Sequence, residues 1–197
     1  IFLSTYMIVL FEDNLDNEAK IVRNIIKKIF DIKCNVKKTK FSDLLKFRKN
    51  FNGYQIQKNS KFKNKIIITD KNIFHPKSTS KEDDWLFGSS YYKQFIISTI
   101  RLKTNSDNPS KILKISKEKY KKRIEFITVH ELGHWLIKNQ KHYKSYISKN
   151  LKTGHKIDLG THCSDNKCVM SEFDNVKELD EHIKINYKNL FCKKCKK

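Results

Sequence analysis

Apolar residues recur along this chain with two different periods, and the two periods divide it into helices and strands. Between residues 16 and 30, Ile21, Ile25, Ile26 and Ile29 return every three to four positions, the spacing of one helix face. A second helix is predicted over about 117–137, where Tyr120, Ile124, Ile127, His130, His134 and Ile137 form a single stripe. Ser116 stands in its N-cap position, and Glu118 supplies a first-turn acid that suits the helix dipole. Phe2–Phe11, Lys65–Thr69 and Gln94–Leu102 lack that period and read as strands, the first as a buried one that ends at acidic Glu12 and Asp13. Asn52–Lys65 and Asn105–Lys111 are polar and read as connections. The pattern predicts an α/β (α+β) chain in which a mixed β-sheet packs on the 117–137 helix. At 197 residues and 38% hydrophobic content, it is expected to form one domain over 1–197.

The second helix carries more than packing. His130-Glu131-Leu132-Gly133-His134 is an HExxH motif, and residues four apart project from the same helix face. Two imidazoles can therefore reach one metal ion with Glu131 beside them, the arrangement of a zinc hydrolase. Gly133 is costly inside a helix, by roughly 1 kcal/mol against Ala, so a strand, a substrate or another close neighbour is expected there.

A second group of metal-type residues follows. Thr161-His162-Cys163 leads to Cys168, and the chain ends with Cys192-Lys193-Lys194-Cys195. Two closely spaced cysteine pairs suit a tetrahedral four-thiolate zinc site, with Cys192 and Cys195 at knuckle spacing. A disulfide framework is the competing account. Only Cys34 is left over and no secretory segment is evident, so reduced cysteines and a cytoplasmic location are the expectation.

With these residues in view, the chain resembles the archaemetzincins. That family's pattern is HExxH, a third His directly followed by Cys, CxxxxC, a Met two residues on, and a terminal CxxC. His130, Glu131 and His134 match its first part, His162-Cys163 the second, Cys163, Cys168 and Met170 the third, and Cys192 and Cys195 the last. Ile68-Thr69-Asp70, Leu86-Phe87-Gly88 and Ile97-Ser98-Thr99-Ile100-Arg101-Leu102 also look like family segments, in the family's order. The resemblance implies a compact metalloprotease fold with a zinc-knuckle C-terminal part, here 160–197. It implies two zinc ions: a catalytic one held by His130, His134 and His162, and a structural one held by Cys163, Cys168, Cys192 and Cys195. It also implies that Met170 lies beneath the catalytic metal, the alternative being an ordinary core methionine.

The chain departs from the family pattern after His134. The family has a Gly three residues past the second His and its third His six residues past it; Ile137 stands in place of that Gly, and His162 lies 28 residues past His134. About 138–158 is therefore an insertion, with six Lys, two His, one Asp and one Gly, the composition of a solvated excursion. Loop closure costs only about 0.6 kcal/mol per doubling of length, so such an insertion is tolerable if its ends stay close. No Glu occurs between His134 and Glu172, which disfavours a thermolysin-like ligand. Asp158, His142 and His155 are the rivals to His162 as third ligand. His162 is preferred because a zinc-held Cys163 would tether it.

Net charge of +21 raises a nucleic-acid reading. Only four of the 42 basic residues are Arg, and the lysines are spread along the whole chain, so no specific nucleic-acid partner is expected. No membrane association is expected either, and a monomer is. The leading reading is a zinc-dependent metallopeptidase that hydrolyses peptide or protein substrates with Glu131 as general base. The alternatives are a catalytically degenerate relative that binds peptides or partners, and a basic nucleic-acid-binding zinc module. Arg101 and His75 are candidate substrate contacts, with structural or surface roles as the better expectation.

Overall fold

In the computed structural model, residues 6–41, 46–48, 53–56, 61, 63–75, 85–91, 94–106, 115–138, 140–149 and 156–196 are described. In chain order the elements are β1 (Met7–Phe11), α1 (Asp16–Phe30), β2 (Cys34–Lys38), β3 (Lys46–Arg48), β4 (Gly53–Gln55), β5 (Lys65–Thr69) and β6 (Asn72–Phe74). They continue with β7 (Trp85–Leu86), β8 (Gly88–Tyr91), β9 (Gln94–Ser98), α2 (Lys117–Leu136), β10 (Tyr143–Lys149), β11 (Lys156–Cys163) and α3 (Val176–Asn186).

The Ile- and Val-rich runs form the centre of a five-stranded mixed sheet of order β2-β1-β5-β9-β8. Its first four strands are parallel, and β8 runs antiparallel to β9 along the edge. Parallel strands are covered on both faces, which is why these runs are continuously apolar instead of alternating. Alternate residues then belong to different cores. Val9, Ile66, Ile68, Phe95 and Ile97 pack under α1 and α2, while Leu10, Ile67 and Ile96 meet Tyr54, Ile56 and Ile73 around the four-stranded sheet β3-β4-β6-β7.

Helix α2 begins as expected. The Ser116 hydroxyl accepts from the Lys119 backbone N–H at 3.2 Å. Its second half is not the one-sided stripe that the periodicity suggests: every residue from Phe126 to Gly133 is buried. The sheet covers one side, and α3 with the C-terminal cysteine segment covers the other, so no face is left for water. Arg123, fully buried, ties α2 to α3 through Nε and Nη2 bonds of 2.8 Å to the two carboxylate oxygens of Asp180.

Several expectations are corrected. The first strand is described only from Met7, with Ile1–Thr5 outside the described residues. The strand at Gln94 ends at Ser98, after which Arg101 leaves the ladder to stack its guanidinium 3.8 Å from the Trp85 ring and to donate to Asn72 Oδ1. Its role is thus structural. The polar stretch Asn52–Lys65 contains β4, which pairs with both β3 and β6. Within 138–158, residues 143–149 and 156–158 pair as the antiparallel strands β10 and β11, so the described part of the excursion is largely β structure, with Lys144, Ser145 and Ile147 exposed. Of the rivals to His162, His155 lies outside the described residues. No helix among the described residues is long and apolar enough to cross a membrane.

Candidate metal centre

The last two turns of α2 carry the site. One helical turn apart, His130 and His134 bring their Nε2 atoms to 3.2 Å. Nδ1 of His130 lies 2.7 Å from the Val169 carbonyl oxygen, so Nδ1 carries the proton and Nε2 keeps its lone pair. The third imidazole comes from β11, where His162 pairs with Lys144 across the hairpin. Its ring lies 5.3 Å from that of His130, stacked at 25°, and 4.8 Å from that of His134. One nitrogen of each of the three rings lies within 4.8 Å of the other two.

These groups fit a metal ion better than they fit one another. Burial, then the charges of His134 and His162, holds His130 well below the usual imidazole range, and burial, then His162, takes His134 down to about 3. Both are neutral near pH 7, and neutral imidazoles present lone pairs. Nδ1 of His162 is buried and has no hydrogen-bond partner among the described residues, an orphaned polar atom of the kind that an ion would satisfy.

Two carboxylates adjoin the imidazoles. Glu131, buried beside the two helix histidines, is held well above the usual carboxylate range by burial and then by the charge of Glu172. The edge strand passes directly over it: a Cβ added to Gly88 would stand 2.5 Å from Glu131 Oε1. Glu172, between β11 and α3, places Oε2 2.6 Å from His162 Nε2, close but off the line of a regular hydrogen bond. Neither Glu172 nor Gly88 stands out by residue type. The available signal for Glu172 is that it is the first Glu after His134, two residues past Met170.

The cysteines gather on the far side of His162. Cys163 Sγ lies 3.8 Å from Cys192 Sγ, and Cys168 Sγ lies 3.6 Å from Cys195 Sγ. Those separations suit thiolates around one ion and exceed the roughly 2.05 Å of a disulfide. The Asp165 backbone N–H points at Cys163 Sγ and that of Cys192 at Cys168 Sγ, both at 3.4 Å. Burial pushes the Cys163 thiol up to about 12. Cys192 is lowered: burial opposes this, and bonds beginning with the Cys195 N–H outweigh it. His142 belongs here and not with the histidines: its Nε2 lies 3.2 Å from Cys195 Sγ. Asp158 bonds within its own strand, its Oδ1 accepting from the Gly160 N–H at 2.9 Å.

No family model matches the sequence, and no curated protein matches it. The fold does have solved counterparts. An archaemetzincin from Archaeoglobus fulgidus, in complex with malonate, superposes with a TM-score of 0.65 at 20% identity, covering 97% of this chain and 98% of that one. The fold is archaemetzincin-like. A zinc-dependent peptidase from Methanocorpusculum labreanum is similar as well, with a TM-score of 0.61 at 20% identity over 96% of this chain and 97% of that one. Among the described residues, this archaemetzincin-like fold carries two groups of potential metal ligands, one of three histidines and one of cysteines with a histidine.

Proposed function

We propose that this chain is a zinc-dependent metallopeptidase, with His130, His134 and His162 holding a catalytic zinc, Glu131 acting as general base, and the cysteine cluster holding a structural zinc. The observation that carries this reading is the convergence of three imidazoles, two of them held neutral by burial, beside a buried carboxyl raised above its ordinary range. A zinc ion there supplies Lewis-acid polarisation of the scissile carbonyl and a lowered pKa for water.

The chain's own groups account for the rest. Glu131 takes the proton of the attacking water and hands it to the leaving amine, a task for which a raised carboxyl is suited because it must hold that proton between the two steps. The β8 strand is the outer edge of the sheet and crosses Glu131 at Gly88, so an extended peptide added along that edge is brought to the base. That geometry favours a peptide as substrate. The fold and the zinc-dependent peptidase among its counterparts support the same class.

The test is Glu131→Gln. Zinc content is expected to be unchanged by elemental analysis, with cleavage of a quenched fluorescent peptide library lost. Cleavage that persists in this variant would overturn the role of Glu131. One observation favours a second reading, a peptide binder that does not cut: Glu172 brings a second carboxylate against His162. If that carboxylate occupies the place a water needs, the wild-type chain binds zinc at the histidines and cleaves nothing.

A further inference from the structure

We infer that Tyr146, on the inserted hairpin, is a positioning residue for the third histidine: its ring braces His162, and its hydroxyl fastens the hairpin to Asp174 beside the metal site. This rests on the reading that the three histidines hold zinc.

His162 lies 28 residues past His134, so the helix that carries the other two histidines does not place it. Its position depends on the hairpin of β10 and β11, where it pairs with Lys144. Two residues further along β10, Tyr146 is its diagonal neighbour on the same face, within reach of an aromatic side chain. The register there is irregular: Ser145 pairs with Thr161 and Ile147 with Asp158, so Leu159 and Gly160 together stand opposite Tyr146. A bulge of this kind sharpens the local twist and re-aims the side chains around it. Gly160 makes it possible by adopting a φ of 91°, in the left-handed region. The outcome is an edge-on contact, with the Tyr146 ring 6.1 Å from that of His162 and inclined at 84°.

The partner of the Tyr146 hydroxyl is fixed independently. That hydroxyl donates to Asp174 Oδ2. The Asp174 backbone N–H donates to Glu178 Oε2 at 2.8 Å, and the Glu178 N–H donates to Asn175 Oδ1 at 2.9 Å, so Asp174 is anchored to the N-cap of α3. Asp174 also ends a short segment that supports the site residue by residue. Met170 packs on Gly133, Glu172 reaches His162, and the Phe173 ring lies 5.2 Å from that of His130. The Tyr146–Asp174 bond therefore ties the hairpin that carries His162 to the segment against which the helix histidines rest. With both ends of that bond held, the His162 ring has less freedom to lose when a metal binds.

The test is competition for zinc between a chelator and the full chain, with cobalt(II) substituted to tell the two centres apart, since thiolate ligands give a near-ultraviolet charge-transfer band that imidazoles lack. Tyr146→Phe keeps the ring and removes the hydroxyl. It is expected to weaken the histidine centre about tenfold, the lower end of the range for groups that orient a metal ligand, and to leave the cysteine centre unchanged. Asp174→Ala is expected to do the same, and the double variant to lose no more than either single one. Asp174→Asn, which keeps an oxygen acceptor, is expected to retain most of the affinity. Wild-type affinity in Tyr146→Phe, losses that add in the double variant, or an equal loss from both centres overturns the assignment. Should Tyr146→Phe fail to fold, the contrast between Asp174→Ala and Asp174→Asn decides. A wild-type chain that takes up no metal at the histidines overturns the zinc reading itself, and this inference with it.

Discussion

Gly133 and Met170 are in such close contact that a Cβ on the glycine would stand 2.2 Å from the methionine Sδ. Met170 is fully buried, and the turn of α2 between the two helix histidines rests on it. This contact accounts for a glycine in mid-helix: its helix-propensity cost of roughly 1 kcal/mol is the condition for Met170 to pack there. Gly133→Ala, which would stabilise an ordinary exposed helix, should here lower the melting temperature and weaken metal binding at the histidines. Met170→Ala should cost about 2–5 kcal/mol, the range for truncating a buried methionine. Thermal unfolding with a zinc titration checks both.

Gly88→Ala tests the other side of Glu131. The added methyl would meet Glu131 Oε1 at 2.5 Å and Cγ at 2.7 Å, so the carboxyl must turn away from the edge strand. Zinc content should be retained while peptide cleavage falls at least tenfold, the scale expected when a proton-transfer group is misplaced. Unchanged turnover would show that Glu131 works from a position other than the one beside Gly88.

Glu172→Gln separates the two functional readings. As the carboxylate that orients His162, Glu172 should be worth about 10–100-fold in zinc affinity at the histidine centre, read by competition with a chelator. If it blocks the water site instead, the variant gains cleavage that the wild-type chain lacks.

The Arg123–Asp180 pair should dominate the acid stability of the α2–α3 contact. Burial raises the Asp180 carboxyl, but its bonds to Arg123 and Lys119 outweigh this and hold it below its ordinary value. Since the folded value lies below the unfolded one, the stabilisation is complete above about pH 4 and is lost as pH falls through the folded value. Asp180→Ala leaves Arg123 buried without its carboxylate and should cost about 3–5 kcal/mol at neutral pH by denaturant unfolding.

The elements with a strong local signal were legible from residue order alone. The N-cap of α2 at Ser116, the spacing of His130 and His134, and the isoleucine runs of β5 and β9 all follow from rules that act over a few positions. Short strands with no such signal were not legible. Lys46–Arg48 and Gly53–Gln55 have polar, mixed compositions, and they are strands because they pair with each other and with β6. Helix α3 was missed because its stripe of Val176, Leu179 and Ile183 sits among charged residues.

The candidate site divides along the same line. The sequence by itself determined which residue types can bind a metal and that two histidines share one helix face, since helical geometry depends only on separation along the chain. Only the tertiary structure decided that His162 meets them from a hairpin 28 residues past His134, that Glu172 and Gly88 flank them, and that His142 turns toward the cysteines. Those relations join distant parts of the chain through strand pairing and burial, and no local pattern encodes a contact whose partners are chosen by how the sheets and helices pack.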